Sequence, residues 1–530
     1  MIKIIKTNWL FLIIISAVVL YVSLKSFDDK MDTNGDNCYY YIFAKSIITG
    51  HGYADLSAPG NPPSSGFPPG YPILLAPFLL INDSWAFTNA SGYLFLWAAC
   101  LLVFIVLIKN KFSKGFALFA SIAVSLNGLF ALYATKTMSE VPFAFFTMLF
   151  IYFLSSYSQL QKSSKKNIYL AVCILLAVYT QYIRVQGMIL CAAFLLFLLL
   201  RKEWKNSLIT IAGFIIGYMP WYIRNKMLGL PANRYMAQIL ERTVHEPGAG
   251  LLPIMQLPKR IVKQFGDLIT NPLPTTVLNF ANYDEHKSYL ILGLIVLAFI
   301  VIGCLSIKRI KFWLLFFIVG NFALISIWTA PSGNRYLTCV VPVLLLGFYT
   351  GIYKSIIFII NKLKINTNKI FSLGKINFSI VVWMIITLVF SMLTISSINA
   401  LEEIAEREYP FMTHIQNIIQ YSDQHIPADA IFCINKPEMF YALSGRKAVK
   451  CLDENATPQA LITDMVNKHV DYVLVTFEGG DPKLRRSLIK AIQKYSGCFS
   501  LTYSLEETKD DAYSKIYLLK LDREKAKNIH

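Results

Sequence analysis

The chain has 530 residues, 55% of them hydrophobic and only 15% charged, with a mean hydropathy of +0.49. Soluble domains carry roughly a quarter charged residues, so this composition cannot cover a water-facing surface. A soluble enzyme, a disordered chain and a coiled coil are excluded, and a polytopic α-helical membrane protein remains.

Lys3 and Lys6 precede an apolar run, Trp9–Leu24, that resembles a signal peptide. No small-residue cleavage site follows and further spans come after it, so it reads as a retained first helix. A helix needs about 20 apolar residues to cross the hydrocarbon core. That measure predicts about 11 transmembrane helices, near 9–24, 86–108, 115–134, 140–158, 168–182, 185–200, 207–223, 288–306, 312–329, 336–353 and 378–397. The six intervals on the side of the N-terminus hold 19 Lys and Arg and a single acid, Glu203. The outer loops up to residue 399 hold 14 basic and 12 acidic residues. This asymmetry predicts an inner (plasma) membrane protein with a cytoplasmic N-terminus and an extracytoplasmic C-terminus. The inner excess equals the whole net charge of +18. The basicity is therefore a topology signal and gives no reason to invoke nucleic acid.

The first outer loop, 25–85, carries the densest chemical signal. Asp28, Asp29, Asp32 and Asp36 cluster after the first span, and Gly35-Asp36-Asn37 opens the stretch Cys38–Thr49. Tyr40, Phe43, Ala44, Ile47 and Ile48 recur at helical spacing, which predicts an amphipathic helix on the membrane surface with Asp36 at its N-cap. Asp36 is then either a cap alone or a carboxylate able to take a proton from a hydroxyl. Ser57–Pro77 holds seven of the 22 prolines. It reads as a stiff linker, and equally as the wall of a substrate groove, leading into Tyr71–Ile81, which is too short to span.

Further along, Glu140 stands at the outer end of a span, where an acid must face protein or water. It caps the following helix with Ser139 or positions a reacting group. Arg184, Arg224 and Arg335 stand at three other outer span ends. Snorkelling explains such residues, and so does a bound phosphate, which guanidinium grips through paired N–H groups. His51, His245 and His286 show no metal-ligand spacing, although the carboxylates leave a divalent cation open. A second outer loop covers 224–287, and loops of that length are usually functional.

Residues 400–530, with 17 basic and 19 acidic residues, read as a small extracytoplasmic α/β domain, separate from a membrane domain over 1–399. Apolar runs at Ala430–Ile434, Ala448–Leu452 and Tyr472–Thr476 alternate with helical patterns at 402–425, 437–444, 457–469 and 484–496. Cys498–Leu505 and Tyr513–Leu521 read as a closing hairpin. No CxxC pair occurs among the nine cysteines. Cys433 and Cys451 fall in consecutive strands on the oxidising side, where either a disulfide or two free thiols fits.

Gly35-Asp36-Asn37-x-x-Tyr40, Ala44, Gly50-His51-Gly52-Tyr53, Pro68-Pro69-Gly70-Tyr71-Pro72, Ser139-Glu140, Arg184, Pro220-Trp221-x-x-Arg224-Asn225 and Arg335-Tyr336 run in that order. In this the chain resembles bacterial membrane glycosyltransferases of the GT-C fold, in the branch related to protein O-mannosyltransferases and the aminoarabinose transferase of lipid A. The resemblance covers about residues 1–400. It implies a polyprenyl-phosphate-linked sugar as donor and an inverting transfer, among membrane lipids, to an envelope glycan, lipid or protein. Asp36 matches the family's catalytic base and Glu140 the acidic position after the third span. Asn37 stands where relatives often have a second acid, and Phe67 where they often have a phosphate-binding Lys. Phosphate binding then falls on Arg335 with Tyr336, Arg224 and Arg184, and Tyr40, His51, Pro69 and Tyr71 belong to motifs lining the groove. The rival readings are a transporter or flippase for a lipid-linked sugar, which would show repeats or broken helices near mid-membrane, and a scaffold.

Overall fold

A computed structural model describes the chain apart from residues 1, 33–35, 162, 232–237, 243–249, 280–288, 329–332, 363–393, 395, 408–409, 451–455, 477–481, 507–514 and 530. Gly35, His245, His286, Cys451, most of the span expected at 378–397 and most of the stretch 506–512 between the two expected hairpin strands lie outside the described residues. The chain forms two compact units, one of Met1–Lys30, Pro68–Tyr71 and Asn82–Glu406, the other of Met31–Phe67, Pro72–Ile81 and Arg407–His530. The second thus takes in most of the first outer loop, which the sequence groups with the membrane domain.

The first unit is helical. Trp9–Ser26, Trp85–Lys109, Glu140–Tyr157, Ser164–Ile183, Trp204–Met227 and Val341–Lys362 are long and apolar enough to cross a membrane. The bent pair Lys114–Ser125 and Gly128–Ala134 makes seven if it is one span. Gly187–Leu200, Leu290–Ser306 and Lys311–Ile327 are apolar but shorter. Every span expected up to residue 353 meets an apolar helix. Among the described residues, six or seven have the length to cross, against the eleven expected. Trp85–Lys109 and Glu140–Tyr157 are mostly buried, whereas Trp9–Ser26 and Trp204–Met227 are mostly exposed, the pattern of inner and lipid-facing helices in a multi-pass membrane protein. Leu290–Ser306 and Val341–Lys362 meet backbone to backbone. A Cβ on Gly303 would lie 1.8 Å from the Gly347 carbonyl oxygen, and one on Gly351 1.9 Å from that of Phe299. Only small residues let membrane helices approach this closely.

The span expected at 115–134 is not continuous. It breaks at Leu126-Asn127, and its halves meet at 58°. Asn127 caps the second half, accepting from the Phe130 amide at 3.0 Å, while its own amide donates to the Thr276 carbonyl at 2.8 Å. The Asn279 side chain takes the Gly128 N–H at 2.7 Å and donates to the Leu126 carbonyl at 3.1 Å. The Ser397 hydroxyl donates to the same amide oxygen at 3.1 Å. A break inside apolar surroundings persists only if other side chains satisfy the freed backbone groups, and these do.

At the other end of the helices, the single acid expected among the inner basic residues is held on all sides. Glu203 Oε1 meets Lys166 at 3.1 Å and Arg201 at 3.0 Å. Its Oε2 accepts from Asn206 at 2.7 Å and from the Tyr157 hydroxyl.

The second unit holds a five-stranded sheet, ordered β2-β1-β3-β5-β4, of β1 (Phe432–Cys433), β2 (Ala448–Val449), β3 (Tyr472–Thr476), β4 (Phe499–Glu506) and β5 (Lys515–Leu521). The first three are parallel, and β5 runs antiparallel to both β3 and β4, as a closing hairpin requires. Leu461, Ile462, Met465, Val473, Val475 and Leu488 are central to its core. Cys433 is disulfide-bonded.

Asn37–Ile48 is a helix with Asp36 at the N-cap position, but the Asp36 side chain makes no capping bond. The membrane-surface helix with one wet face is a misreading. Eight of the twelve residues are buried, Asn37 and Ser46 among them. Tyr39 and Phe43 gather around Phe67, with Phe43 stacked on Tyr53 at 4.6 Å, and the helix packs on Pro437–Ser444. Aromatic residues suit an interface and a core equally, and here they build a core.

Replacing Glu203 with Ala leaves Lys166 and Arg201 facing each other without a counter-charge. The expected loss is about 1–3 kcal/mol, read as a lower unfolding temperature in detergent. An unchanged melting curve would mean that water already solvates this network.

Candidate functional site

Three separate stretches of the first unit converge on one carboxylate. Ser139-Glu140 opens the helix Glu140–Tyr157, and the Glu140 side chain is 0% exposed. Arg184 ends the helix Ser164–Ile183 in extended conformation, before the chain turns into Gly187–Leu200. Arg335 begins the short helix Arg335–Thr338. Arg184 Nη1 and Arg335 Nε each reach Glu140 Oε1 at 2.9 Å. Arg184 also donates to the Ser139 hydroxyl at 2.7 Å and, through Nε, to Gln186 Oε1 at 3.2 Å. The Gln186 amide donates in turn to the Tyr336 carbonyl at 3.3 Å, so Tyr336 enters the network through its backbone.

The charge balance defines what this cluster can do. Two guanidiniums share one oxygen of a single buried carboxylate. Glu140 Oε2 is buried and has no hydrogen-bond partner among the described residues. An unsatisfied buried acceptor beside two guanidiniums is unusual in a core made only for stability.

Pro69, Gly70 and Tyr71 belong to this unit and are buried. A Cβ on Gly70 would lie 2.5 Å from the Tyr182 carbonyl carbon, so only glycine lets the proline-rich segment rest on the end of Ser164–Ile183. The Tyr179 hydroxyl donates to the Gly70 carbonyl at 3.0 Å. Burial, and then the Glu140 charge, makes the Tyr71 phenol harder to ionise. Arg224 is held on its own helix, over the Trp221 ring at 4.9 Å and donating to Asn225 at 2.8 Å.

Asp36, Tyr40 and His51 belong to the second unit. Tyr40 is buried edge-on to Phe67. His51 is exposed in the turn after the helix, its Nδ1 3.0 Å from the Thr49 hydroxyl. Among the described residues no three His, Cys, Asp or Glu side chains gather where one cation could be held. Gln186 is the member of the cluster that the sequence reading overlooks. Its signal was available, since a glutamine between two short apolar stretches needs a partner.

No protein-family model matches the sequence, and no curated protein does. The fold does match solved structures. The archaeal oligosaccharyltransferase AglB from Archaeoglobus fulgidus, in complex with an inhibitory peptide and a dolichol-phosphate, matches with a TM-score of 0.58 at 13% identity, over 89% of this chain and 70% of that one. ArnT from Cupriavidus metallidurans bound to undecaprenyl phosphate matches with a TM-score of 0.57 at 11% identity, over 97% of this chain and 98% of that one. Both have the GT-C fold, and this chain is a membrane protein of that fold.

Replacing Glu140 with Leu leaves two guanidiniums side by side and largely buried, an expected loss of about 3 kcal/mol. The double variant Glu140→Leu, Arg184→Leu should melt closer to wild type than Glu140→Leu alone. Losses that simply add would show that the two side chains are not coupled.

Proposed function

We propose that the protein is an inverting glycosyltransferase. It moves a sugar from a polyprenyl-phosphate donor to a hydroxyl of a lipid, glycan or protein acceptor on the outer face of the membrane. The observation that carries this reading is the convergence of two guanidiniums, Arg184 and Arg335, on the buried Glu140 carboxylate in a chain of GT-C fold. Undecaprenyl phosphate and dolichol-phosphate, the lipids bound in the structural neighbours, supply the donor class.

The chemistry follows from the charges. The acceptor oxygen forms a bond to the anomeric carbon while the bond from that carbon to the phosphate oxygen breaks. The acceptor proton passes to Asp36, and the phosphate leaves carrying one more negative charge than it had in the donor. Arg184 and Arg335 are suited to stabilise that growing charge, which is where preorganised cations accelerate a reaction most. A single displacement inverts the configuration and needs no covalent sugar–protein intermediate. Glu140 acts by positioning, because the two arginines already occupy its Oε1. Arg224 and Tyr336 complete the phosphate side, and Pro69 and Tyr71 line the groove beside it.

One observation favours the flippase instead, since broken helices are frequent in transporters and Lys114–Ala134 is broken. The named side chains at that break are neutral and hydrogen-bonded to one another or to backbone, which suits holding a bend better than binding a cargo.

Two experiments separate these readings. In envelopes of cells lacking the gene, mass spectrometry should find an accumulated polyprenyl-phosphate sugar and a glycan, lipid or protein one sugar short. A changed leaflet distribution with every product intact would move the assignment to the flippase. With purified protein, Asp36→Asn should abolish transfer while undecaprenyl phosphate still binds, and Arg335→Ala should weaken that binding by about tenfold. Full transfer by Asp36→Asn would remove Asp36 as the base.

A further inference from the structure

The second unit joins the first outer loop to the C-terminal domain through named polar contacts. The Tyr39 hydroxyl donates to Glu438 Oε2 at 3.3 Å. Lys447 Nζ donates to the Leu56 carbonyl at 2.5 Å and to Asn61 Oδ1. The Ala448 N–H at the edge of the sheet donates to the Ser57 carbonyl at 2.9 Å. Glu438 stands in the first turn of Pro437–Ser444, the helix on which Asn37–Ile48 packs.

Glu438 is the unexpected member of this set. An apolar side chain would fill the position between two packed helices without withdrawing a charge from water. Burial pushes the Glu438 carboxyl up from its ordinary range, while its backbone amide contact, the Tyr39 hydroxyl and Lys436 pull it down and Asp55 adds to the rise. The group is thus held at a cost, and its side-chain hydrogen-bond partner among the described residues is Tyr39, three places after Asp36. The Tyr40 N–H, one place further on, closes the first helical turn onto the Asp36 carbonyl at 3.1 Å.

We propose that Glu438 is a positioning residue for transfer: through the Tyr39 hydroxyl, the C-terminal domain fixes the first turn of Asn37–Ile48 and so the direction in which Asp36 meets the acceptor hydroxyl. This rests on the transferase reading given above. The C-terminal domain is then part of the acceptor side of the reaction. A small misplacement of a reacting group lowers turnover steeply, so the contact acts on kcat and leaves the donor's KM alone.

The test uses the full-length protein in nanodiscs, comparing wild type with Glu438→Gln, Tyr39→Phe and the double variant. Amide hydrogen exchange over Tyr40–Ala44 should accelerate about tenfold in each single variant and no further in the double, while Trp85–Lys109 and β3 keep their protection. The kcat for transfer from a polyprenyl-phosphate sugar should fall about tenfold, with the donor's KM unchanged. Wild-type exchange and wild-type kcat in both single variants would overturn the proposal, and so would effects that multiply in the double variant. A fall in folded fraction at unchanged kcat per folded molecule would reduce Glu438 to a merely structural contact and overturn it too. If wild type transfers no sugar, the transferase reading fails by itself, and the exchange data still decide whether Glu438 and Tyr39 act as a pair.

Discussion

One end of the first unit depends on burying one carboxylate. Glu140 is fully withdrawn from water, and an isolated charge there would cost more than the whole margin by which a domain is stable. The fold meets that demand with two guanidiniums, one of them 195 residues further along the chain. Satisfying the charge therefore fixes where three distant stretches must stop and turn. A buried ion pair is weak evidence of net stability. What this one secures is position, because the start of one helix, a turn between two others and a four-residue helix must reach the same oxygen.

The other paired acid of the membrane helices shows what a closed version of this chemistry looks like. Glu203 uses both carboxylate oxygens, one for Lys166 and Arg201 and the other for Asn206 and Tyr157. Glu140 instead offers one oxygen to both arginines, and its second oxygen has no partner among the described residues. The residue types are nearly the same, so ion pairing alone does not separate a structural knot from a functional site. The separation lies in what is left unpaired. At Glu140 that is a buried acceptor, Oε2, beside two guanidiniums that converge on the other oxygen.

How much of this is legible in the sequence depends on contrast. Glu140, Arg184 and Arg335 stand out because ionisable residues are rare in apolar stretches. Their pairing does not, because no periodicity links positions so far apart. Asn127-Gly128 is a recognised chain-breaking pair, yet the apolar run around it outweighs two residues in any hydropathy window. What stabilises the break, Asn279, lies in a distant segment. In the second unit the apolar runs mark β1, β2 and β3, and the closing hairpin of β4 and β5 falls where expected. The limits of β1 and β2 do not, since only two residues of each apolar run pair with a neighbour. The helix Asn37–Ile48 is found at the right place with the wrong surroundings, because Tyr and Phe follow the same spacing whether they face lipid or a protein core.

The surroundings of that helix explain why the first outer loop belongs with residues 407–530, which begin 45 positions beyond the last described span, Val341–Lys362. Met31–Phe67 is too short to bury a core of its own, and its prolines keep much of it out of regular structure. The C-terminal sheet has the opposite difficulty, since β2 leaves a row of unpaired backbone groups at one edge. Pairing Ser57 with Ala448, and Leu56 with Lys447, answers both needs with a few hydrogen bonds. Neither partner is then complete alone, and the helix that carries Asp36 is ordered by residues some 400 positions later. The described members of the Glu140 cluster, Ser139, Arg184, Gln186, Arg335 and Tyr336, all belong to the first unit. Under the proposed transfer, holding a lipid phosphate and aiming an acceptor base would rest on different parts of the chain, and substitutions should be able to impair one while sparing the other.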